Sequence, residues 1–341
     1  MQLSDPDLDT MARGTREALL LEALRNQIEF AADVVPFWAN RLAGASVSVN
    51  SLETMDDFAR VPTMSKAAFR GLRPQALVPE AHLGDVRIAR WTSGTSGRPT
   101  VCFWTTADWT ALVEATARML APRMPIATPR AFNGYSQAHL TGPLYHAALQ
   151  RLGGVVFDRS HHAEDVFPTE AQCDLFDFDT LILPGHTTRG KGVGLAELLE
   201  RDPSFLRRHS LRWWIGSSGT FEAAAVEAAH RQGVASVSNL YGASEFGLFS
   251  IMCEQNFGDY HVAQGHVLVE VVDDAGRRVE SGSFGRIVVT HLCGATADGR
   301  TRTHQGTQLF RLAIGDGATL IDEPCSCGLT TSRLRGIRRM Q

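Results

Sequence analysis

Apolar residues between positions 15 and 45 recur at helical spacing, with Leu19, Leu20, Leu21 and Leu24 followed by Ile28, Phe30 and Ala31. This predicts an amphipathic helix broken near Pro36. The stretch SLETMDDFARVPTMSKAAFRG predicts a short helix, an extended Val61-Pro62 and a second helix capped near Ser65. VRIARWTSGTSGRPTVCFWT then switches to strand, glycine-rich loop and strand. Helical and strand patterns alternate from there. DWTALVEATARMLA and GPLYHAALQRLG read as helices, and the second ends at Gly153-Gly154 before the strand VVFD. DTLILPG is a buried strand followed by the helix GLAELLERD; LRWWIGSSG runs into a turn, and TFEAAAVEAAHRQG is a helix closed by Gly233. ASVSNLYGASEFG is strand plus loop. Such a rhythm predicts an α/β fold, with parallel sheets covered by helices on both faces.

The pattern changes near residue 250. HVLVEVVDDAGRRVESGSFGRIVVTHL and QLFRLAIGDGATLI alternate with no convincing helix, which predicts a β-rich, antiparallel or barrel-like subdomain. No fixed-period repeat is visible. Of the 341 residues, 44% are hydrophobic and 21% charged, with a net charge of -4. These values fit a globular chain with a large core and argue against a nucleic-acid partner. No apolar run approaches the roughly 20 residues that span a bilayer, so no membrane partner is expected. The acidic, polar start MQLSDPDLDTMARGT is unlike a secretory signal, and residues 1–18 are expected to form a mobile or loosely docked leader. Six cysteines without such a signal place the protein in the reducing cytoplasm.

Three stretches carry the chemistry. In TSGTSG, glycines 94 and 97 let the backbone come close to an anion, and Thr92, Ser93, Thr95 and Ser96 add hydroxyl donors. It is not a Walker A loop, because no Gly-Lys-Ser/Thr closes it. Neither GTSGR nor GSSGT is the Gly-x-Ser-x-Gly of a hydrolase elbow. The other two stretches are NLYGASEFG and FRLAIGDGATLI. Together, in this order and spacing, the three resemble the phosphate loop, the Tyr-Gly-x-Ser/Thr-Glu motif and the Arg-x-x-x-Gly-Asp motif of the adenylate-forming superfamily of acyl- and aryl-CoA ligases. Thr100, where most relatives carry Lys, together with VPFWANRL, RVPTMSKAAFRG and the Cys/His pattern, resembles the phenylacetate–CoA ligase branch. The likeness runs from about residue 20 to the last residue.

The resemblance implies the fold of the superfamily's large N-terminal domain and ATP-dependent activation of an aromatic or small organic acid as an acyl-adenylate. CoA, an amine or a carrier protein would then take the acyl group, and a homodimer is the expected assembly. Thr92, Ser93, Gly94, Thr95, Ser96 and Gly97 would wrap the ATP phosphates, with Thr92 and Thr95 sharing the catalytic role with Glu245. Glu245 would hold Mg²⁺. Tyr241, Gly242 and Ser244 would lie along the adenine and acyl pocket, and Trp214 to Gly219, with Ser217, Ser218 and Gly219, would border adenine. Asp316 would meet the ribose hydroxyls; taken alone, its Gly-Asp-Gly setting reads as a hairpin turn. Tyr135 and His139 are the substrate-pocket candidates. The alternative is a degenerate relative that binds nucleotide or acyl ligand without turnover.

Cys253, His261, Cys325 and Cys327 form an S₃N set suited to a closed structural Zn²⁺ site, with His266 as the competing imidazole. Reduced thiols packed in a β subdomain are the other reading of this pattern. Cys102, Cys173 and Cys293 lack paired ligands and read as small hydrophobes. His146 lies in a helix as a packed or surface residue, and His186 sits at a strand end, where α/β ligand sites gather.

The expected domains are 19–250, carrying the nucleotide and acyl sites, and 251–336, β-rich. The resemblance implies that residues 337–341 would start a hinge to a lysine-bearing C-terminal domain, which is expected to lie outside these 341 residues. Lys66 and Lys191 are the only lysines. Arg98, Arg189 and Arg311 are the arginine candidates for charge compensation, and Lys191 lies on a glycine-rich loop within reach of a phosphate.

Overall fold

The computed structural model describes residues 6–91, 100–159, 170–187, 194–292, 294 and 301–340. The chain forms two compact units, one made of Met1–Ala115 with Cys253–Gln341, the other of Thr116–Met252.

In the first unit, α1 (Arg13–Val34) and α2 (Pro36–Gly44) meet where Val35 turns extended and Pro36 takes the first helical position. Leu20, Leu24, Ile28 and Ala31 form the buried stripe of α1. A 3₁₀ turn, Met55–Arg60, precedes α3 (Lys66–Gly71), whose Ser65 cap accepts from the Ala68 amide. Strands β1 (Val86–Trp91) and β2 (Val101–Thr105) pair antiparallel, and α4 (Thr106–Leu120) follows.

The second unit alternates as expected: β3 (Arg130–Asn133), α5 (Thr141–Arg151), β4 (Val155–Asp158), α6 (Glu170–Phe176), β5 (Thr180–Ile182), α7 (Leu195–Arg201), α8 (Phe205–Arg208), β6 (Trp213–Gly216), α9 (Ala223–Arg231), β7 (Ser236–Ala243) and β8 (Gly247–Met252). Strands β4, β3, β5, β6 and β7 are parallel neighbours in that order, and β8 returns antiparallel against β7. Sequence order and sheet order part at β3: β4 lies on one side of it and β5 on the other. In open α/β sheets, ligands bind beyond the carboxyl ends of the strands at such a switch point. Phe132, Leu181, Leu183, Trp214 and Phe221 fill the core beneath.

Back in the first unit, β9 (Asp259–Val262), β10 (Val267–Val272), β11 (Phe284–His291), β12 (Leu312–Ile321) and β13 (Arg333–Arg339) make an antiparallel sheet ordered β10-β11-β12-β13-β9. This is the antiparallel form of the expected subdomain; among the described residues no β9–β10 pairing closes it into a barrel.

Long-range bonds redraw the expected domain limits. The N-terminal helices belong with this sheet: the Trp38 indole donates to the Gln308 carbonyl at 2.9 Å and the Met64 amide to the Arg311 carbonyl at 2.9 Å. Of the two forms expected for the leader, residues 6–18 take the docked one. Arg16 is 3% exposed and donates to Thr330 Oγ1 and the Thr330 carbonyl, both at 2.7 Å, and Leu8 is fully buried. Residues 337–339 are strand, with Arg339 opposite Asp316 in the β12–β13 register.

One buried cluster predicts a pH response. Asp108 accepts from the Thr105, Gln305 and Gly306 amides, and its Oδ1 lies 3.3 Å from His304 Nδ1. His304 stacks on His291 at 4.1 Å. Burial pushes the His304 imidazole below its ordinary value. Burial also pushes Asp108 up, but His304 and the amide bonds outweigh it and hold the carboxyl below its usual range. The unfolded chain thus binds the histidine proton more tightly than the folded one. Stability is retained above about pH 6.5 and falls as the pH drops, by up to about 1.4 kcal/mol per pH unit for one proton. Below about pH 4 the Asp108 contribution is lost as well. Urea midpoints should decline from pH 7.5 to 5.5, with a shallower decline in His304→Gln; an equal slope in both would remove His304 as the cause.

Candidate functional site

The carboxyl edge of the second unit's parallel sheet carries the expected ligand residues from Tyr135 to Glu245. After β6 the chain turns through Gly216-Ser217-Ser218-Gly219, with Ser218 at φ 74° and Gly219 at φ 140°. A side chain at Gly216 would sit 2.1 Å from the Leu183 carbonyl oxygen, so only glycine fits. Asn239 on β7 clamps this turn, donating through Nδ2 to the Gly219 carbonyl at 3.1 Å and accepting from the Phe221 amide at 3.3 Å. The sequence reading assigned Asn239 no role; its only signal was its place at the head of the NLYGASEFG motif. Tyr135, after β3, locks the other side of the turn. Its hydroxyl accepts from the Ser217 amide at 2.7 Å and donates to the Ser217 carbonyl at 2.8 Å. Burial pushes the Tyr135 phenol up to about 12.

These contacts change two expected roles. Tyr135 is fully buried and spends its hydroxyl on Ser217, so it positions the turn. Trp214 is also fully buried, donates to the Leu183 carbonyl at 3.0 Å and stacks on Phe221 at 3.9 Å. Its ring belongs to the core, and within Trp214 to Gly219 only the Ser218-Gly219 end reaches the surface.

The second turn joins β7 to β8. Gly242 faces Gly247 so closely that a Cβ would lie 2.0 Å from the Gly247 carbonyl oxygen, and the Phe246 amide closes onto the Ala243 carbonyl at 2.9 Å. This tight hairpin carries Ser244 and Glu245, and the Glu245 carboxylate is 1% exposed. Tyr241 stands edge-on to Phe249 at 5.4 Å, half-buried. His139, on the loop between β3 and α5, is half-buried with Nδ1 at 3.1 Å from Thr141 Oγ1. His186 is exposed and faces Glu222 at 3.3 Å.

In the first unit Asp316 lies within β12, not in a turn, and accepts from Arg339 at 3.0 Å. Arg311 cannot serve as a phosphate counter-charge. It is fully buried, paired with Glu270 at 3.1 Å and donating to the Ala59, Val61 and Gly276 carbonyls. Lys66 opens α3. Thr92, Ser93, Gly94, Thr95, Ser96, Gly97 and Arg98 lie outside the described residues, as do Arg189, Lys191 and Cys293. The paired strands that flank the loop end at Trp91 and Val101.

Cys253, His261, Cys325 and Cys327 come together, with their ligand atoms all within 4.8 Å of one another. The Sγ atoms of Cys253 and Cys325 are 3.6 Å apart, and Cys327 Sγ lies 3.3 Å from His261 Nε2. Zn–S bonds of about 2.3 Å in a tetrahedron put sulfurs about 3.8 Å apart, so the residues fit a zinc ion. His261 comes from β9, and its Nδ1 at 3.1 Å from Thr331 Oγ1 turns Nε2 toward the thiols. The Asn256 amide reaches Cys253 Sγ at 3.4 Å, and its side chain reaches Cys325 Sγ at 3.1 Å. Burial raises the Cys325 thiol, but hydrogen bonds from Cys327, Cys253 and Asn256 bring it down to about 7. Burial and the adjoining thiols push Cys327 up to about 12. His266 is buried but outside this set, while Cys102 and Cys173 are buried as ordinary hydrophobes.

No protein-family model matches the chain. Its fold nevertheless follows that of solved CoA ligase structures over nearly all of the chain. It aligns with the structure of an open 2-hydroxyisobutyryl-CoA ligase in complex with 2-HIB-AMP and CoA at TM-score 0.79 and 22% identity, over 97% of this chain and 76% of that one. The same ligase in its thioesterification state matches at TM-score 0.79 and 24% identity, over 98% of this chain and 70% of that one. At these identities the likeness establishes the fold. Among curated proteins, a phenylacetate-coenzyme A ligase of Thermus thermophilus is 30% identical over 338 residues, covering 96% of this chain and 71% of that protein. The Pseudomonas putida phenylacetate-coenzyme A ligase is 27% identical over 300 residues, of which this chain spans 65% of the relative's length. The chain belongs to the phenylacetate–CoA ligase family.

Proposed function

We propose that the protein activates an organic carboxylic acid with ATP, forming an acyl-adenylate and pyrophosphate, and that CoA takes the acyl group. The observation that carries this reading is the convergence of the Gly216–Gly219 turn and the Glu245 hairpin on one sheet edge, in a chain 30% identical to a phenylacetate-coenzyme A ligase. An acid oxygen forms a bond to the α-phosphorus as the bond to the leaving pyrophosphate breaks. This reaction needs in-line positioning and neutralised charge more than covalent help. The chain's part is to hold the reactants. The clamped Ser217–Gly219 turn presents backbone along the adenine. The Tyr241-Gly242 segment walls the acyl side, and Glu245 supplies a hard oxygen ligand for the Mg²⁺ that accompanies the triphosphate. The family resemblance gives Asp316 the ribose hydroxyls and the hydroxyl and glycine residues 92–97 the β- and γ-phosphates.

Zinc, held by Cys253, His261, Cys325 and Cys327, serves as a structural staple between β9 and the Cys325–Gly328 turn. The test of activation is pyrophosphate release from ATP across a panel of aryl and short aliphatic acids. Release that depends on one of these acids, and on Mg²⁺, is expected; release that ignores the acid would refute it.

A further inference from the structure

A polar network at the carboxyl ends of β3 and β4 has no part in the roles above. Asn133 and Asp158 are direct partners in the β3–β4 register. Asp158 Oδ1 accepts from Asn133 Nδ2 at 2.8 Å and Gln137 Nε2 at 2.6 Å, while Oδ2 lies 2.7 Å from His146 Nδ1 on α5. Asn133 Nδ2 also donates to the Gly142 carbonyl at 2.9 Å, and its Oδ1 accepts from the Tyr135 amide at 3.2 Å. The carboxylate thus has a donor on each oxygen and fixes the ring; a neutral imidazole that gives its Nδ1–H to Asp158 has Nε2 as its acceptor. His146 is 30% exposed and Asp158 26%.

Two amide donors are spent on orienting the carboxylate that holds this imidazole, and the imidazole stays partly exposed. A histidine that merely met solvent would need none of them. The network also borders β3, where sheet and chain order part and ligand crevices form, and it fixes the loop from Asn133 to Thr141 that carries His139.

We propose that His146, positioned by Asp158, sets acid specificity: its Nε2 accepts a hydrogen bond from a hydroxyl or amino group on the carboxylic acid. This deepens the activation reading by naming the substrate class as acids that bear a hydrogen-bond donor. A site built to pair such a donor discriminates against the parent acid that lacks it. Asp158 acts only through the ring, as a positioning residue.

The test uses matched pairs, phenylacetate with 4-hydroxyphenylacetate and benzoate with its hydroxy and amino derivatives, in ATP–pyrophosphate exchange. For the wild type, kcat/KM should favour at least one donor-bearing acid over its parent by about 10-fold or more, the difference lying in KM. In His146→Leu the ratio should fall to about 1. His146→Gln, which keeps an acceptor, should retain part of it, and Asp158→Asn should lie between. A wild-type preference for the parent acids, or a ratio unchanged in His146→Leu, overturns the proposal. A second readout needs no turnover: the ¹⁵N resonance of His146 Nε2 should shift with the donor-bearing acid and not with its parent. Exchange without the preference or the shift sinks this proposal alone, whereas the shift without exchange with any acid sinks the activation reading alone.

Discussion

Glu245→Gln is expected to lower Mg²⁺-dependent adenylate formation by two to three orders of magnitude, on the order of 3–4 kcal/mol of transition-state stabilisation. The side chain is 1% exposed on a hairpin whose glycines admit no other residue at Gly242. Glutamine matches glutamate in shape and keeps an oxygen, but it removes the negative charge that makes a carboxylate a strong ligand for a hard divalent ion. The effect should therefore appear as a raised Mg²⁺ requirement and a lower rate, while the far-ultraviolet spectrum stays that of the parent. Stopped-time assays at several Mg²⁺ concentrations measure it. Full activity at low Mg²⁺ in the variant would take Glu245 out of the metal's coordination shell.

The Cys253/His261/Cys325/Cys327 cluster should give the second large effect. About one equivalent of zinc is expected in the purified protein, and Cys253→Ser or Cys325→Ser should lose it. A structural zinc site contributes folding free energy directly, about 10–16 kcal/mol in isolated zinc-finger peptides. Even a fraction of that is large against the marginal stability of a domain. The melting temperature should drop by roughly 10 °C or more, a shift that corresponds to a few kcal/mol. Cys173→Ala, in the other unit, should keep its zinc and serves as the control. Elemental analysis and calorimetry together decide the matter; zinc below half an equivalent in a fully folded wild type would leave the four residues as packed thiols and imidazole.

The parts of this fold that were legible in the sequence are those set by local physics. Pro36 ends α1 because it fits a first helical turn and no interior one; Ser65 caps α3 through its own hydroxyl; Gly153 and Gly233 close helices with φ of 84° and 100°. The alternation of strand and helix gave the parallel sheet, and the Cys/His pattern pointed to the four residues that come together. What escaped depends on partners far along the chain. Arg311 looked like a free cation until Glu270, 41 positions away, took it into the core. Trp214 opened the stretch expected to border adenine, yet Leu183 and Phe221 bury it. Arg16 ties the leader down through Thr330, 314 positions later. The Asp158–His146 pair was hidden for a similar reason, since only the β3–β4 register brings Asn133, Gln137 and Asp158 to the same strand ends.

The account rests on acyl-adenylate formation, and the product itself is the most direct thing to look for. The protein should be mixed with ATP, Mg²⁺ and each acid of the panel, quenched, and its bound small molecules identified by mass spectrometry. The account predicts acyl-AMP together with pyrophosphate for at least one acid, and neither when Mg²⁺ is withheld. ADP with phosphate, or unchanged ATP with every acid while the protein remains folded and zinc-loaded, would contradict it.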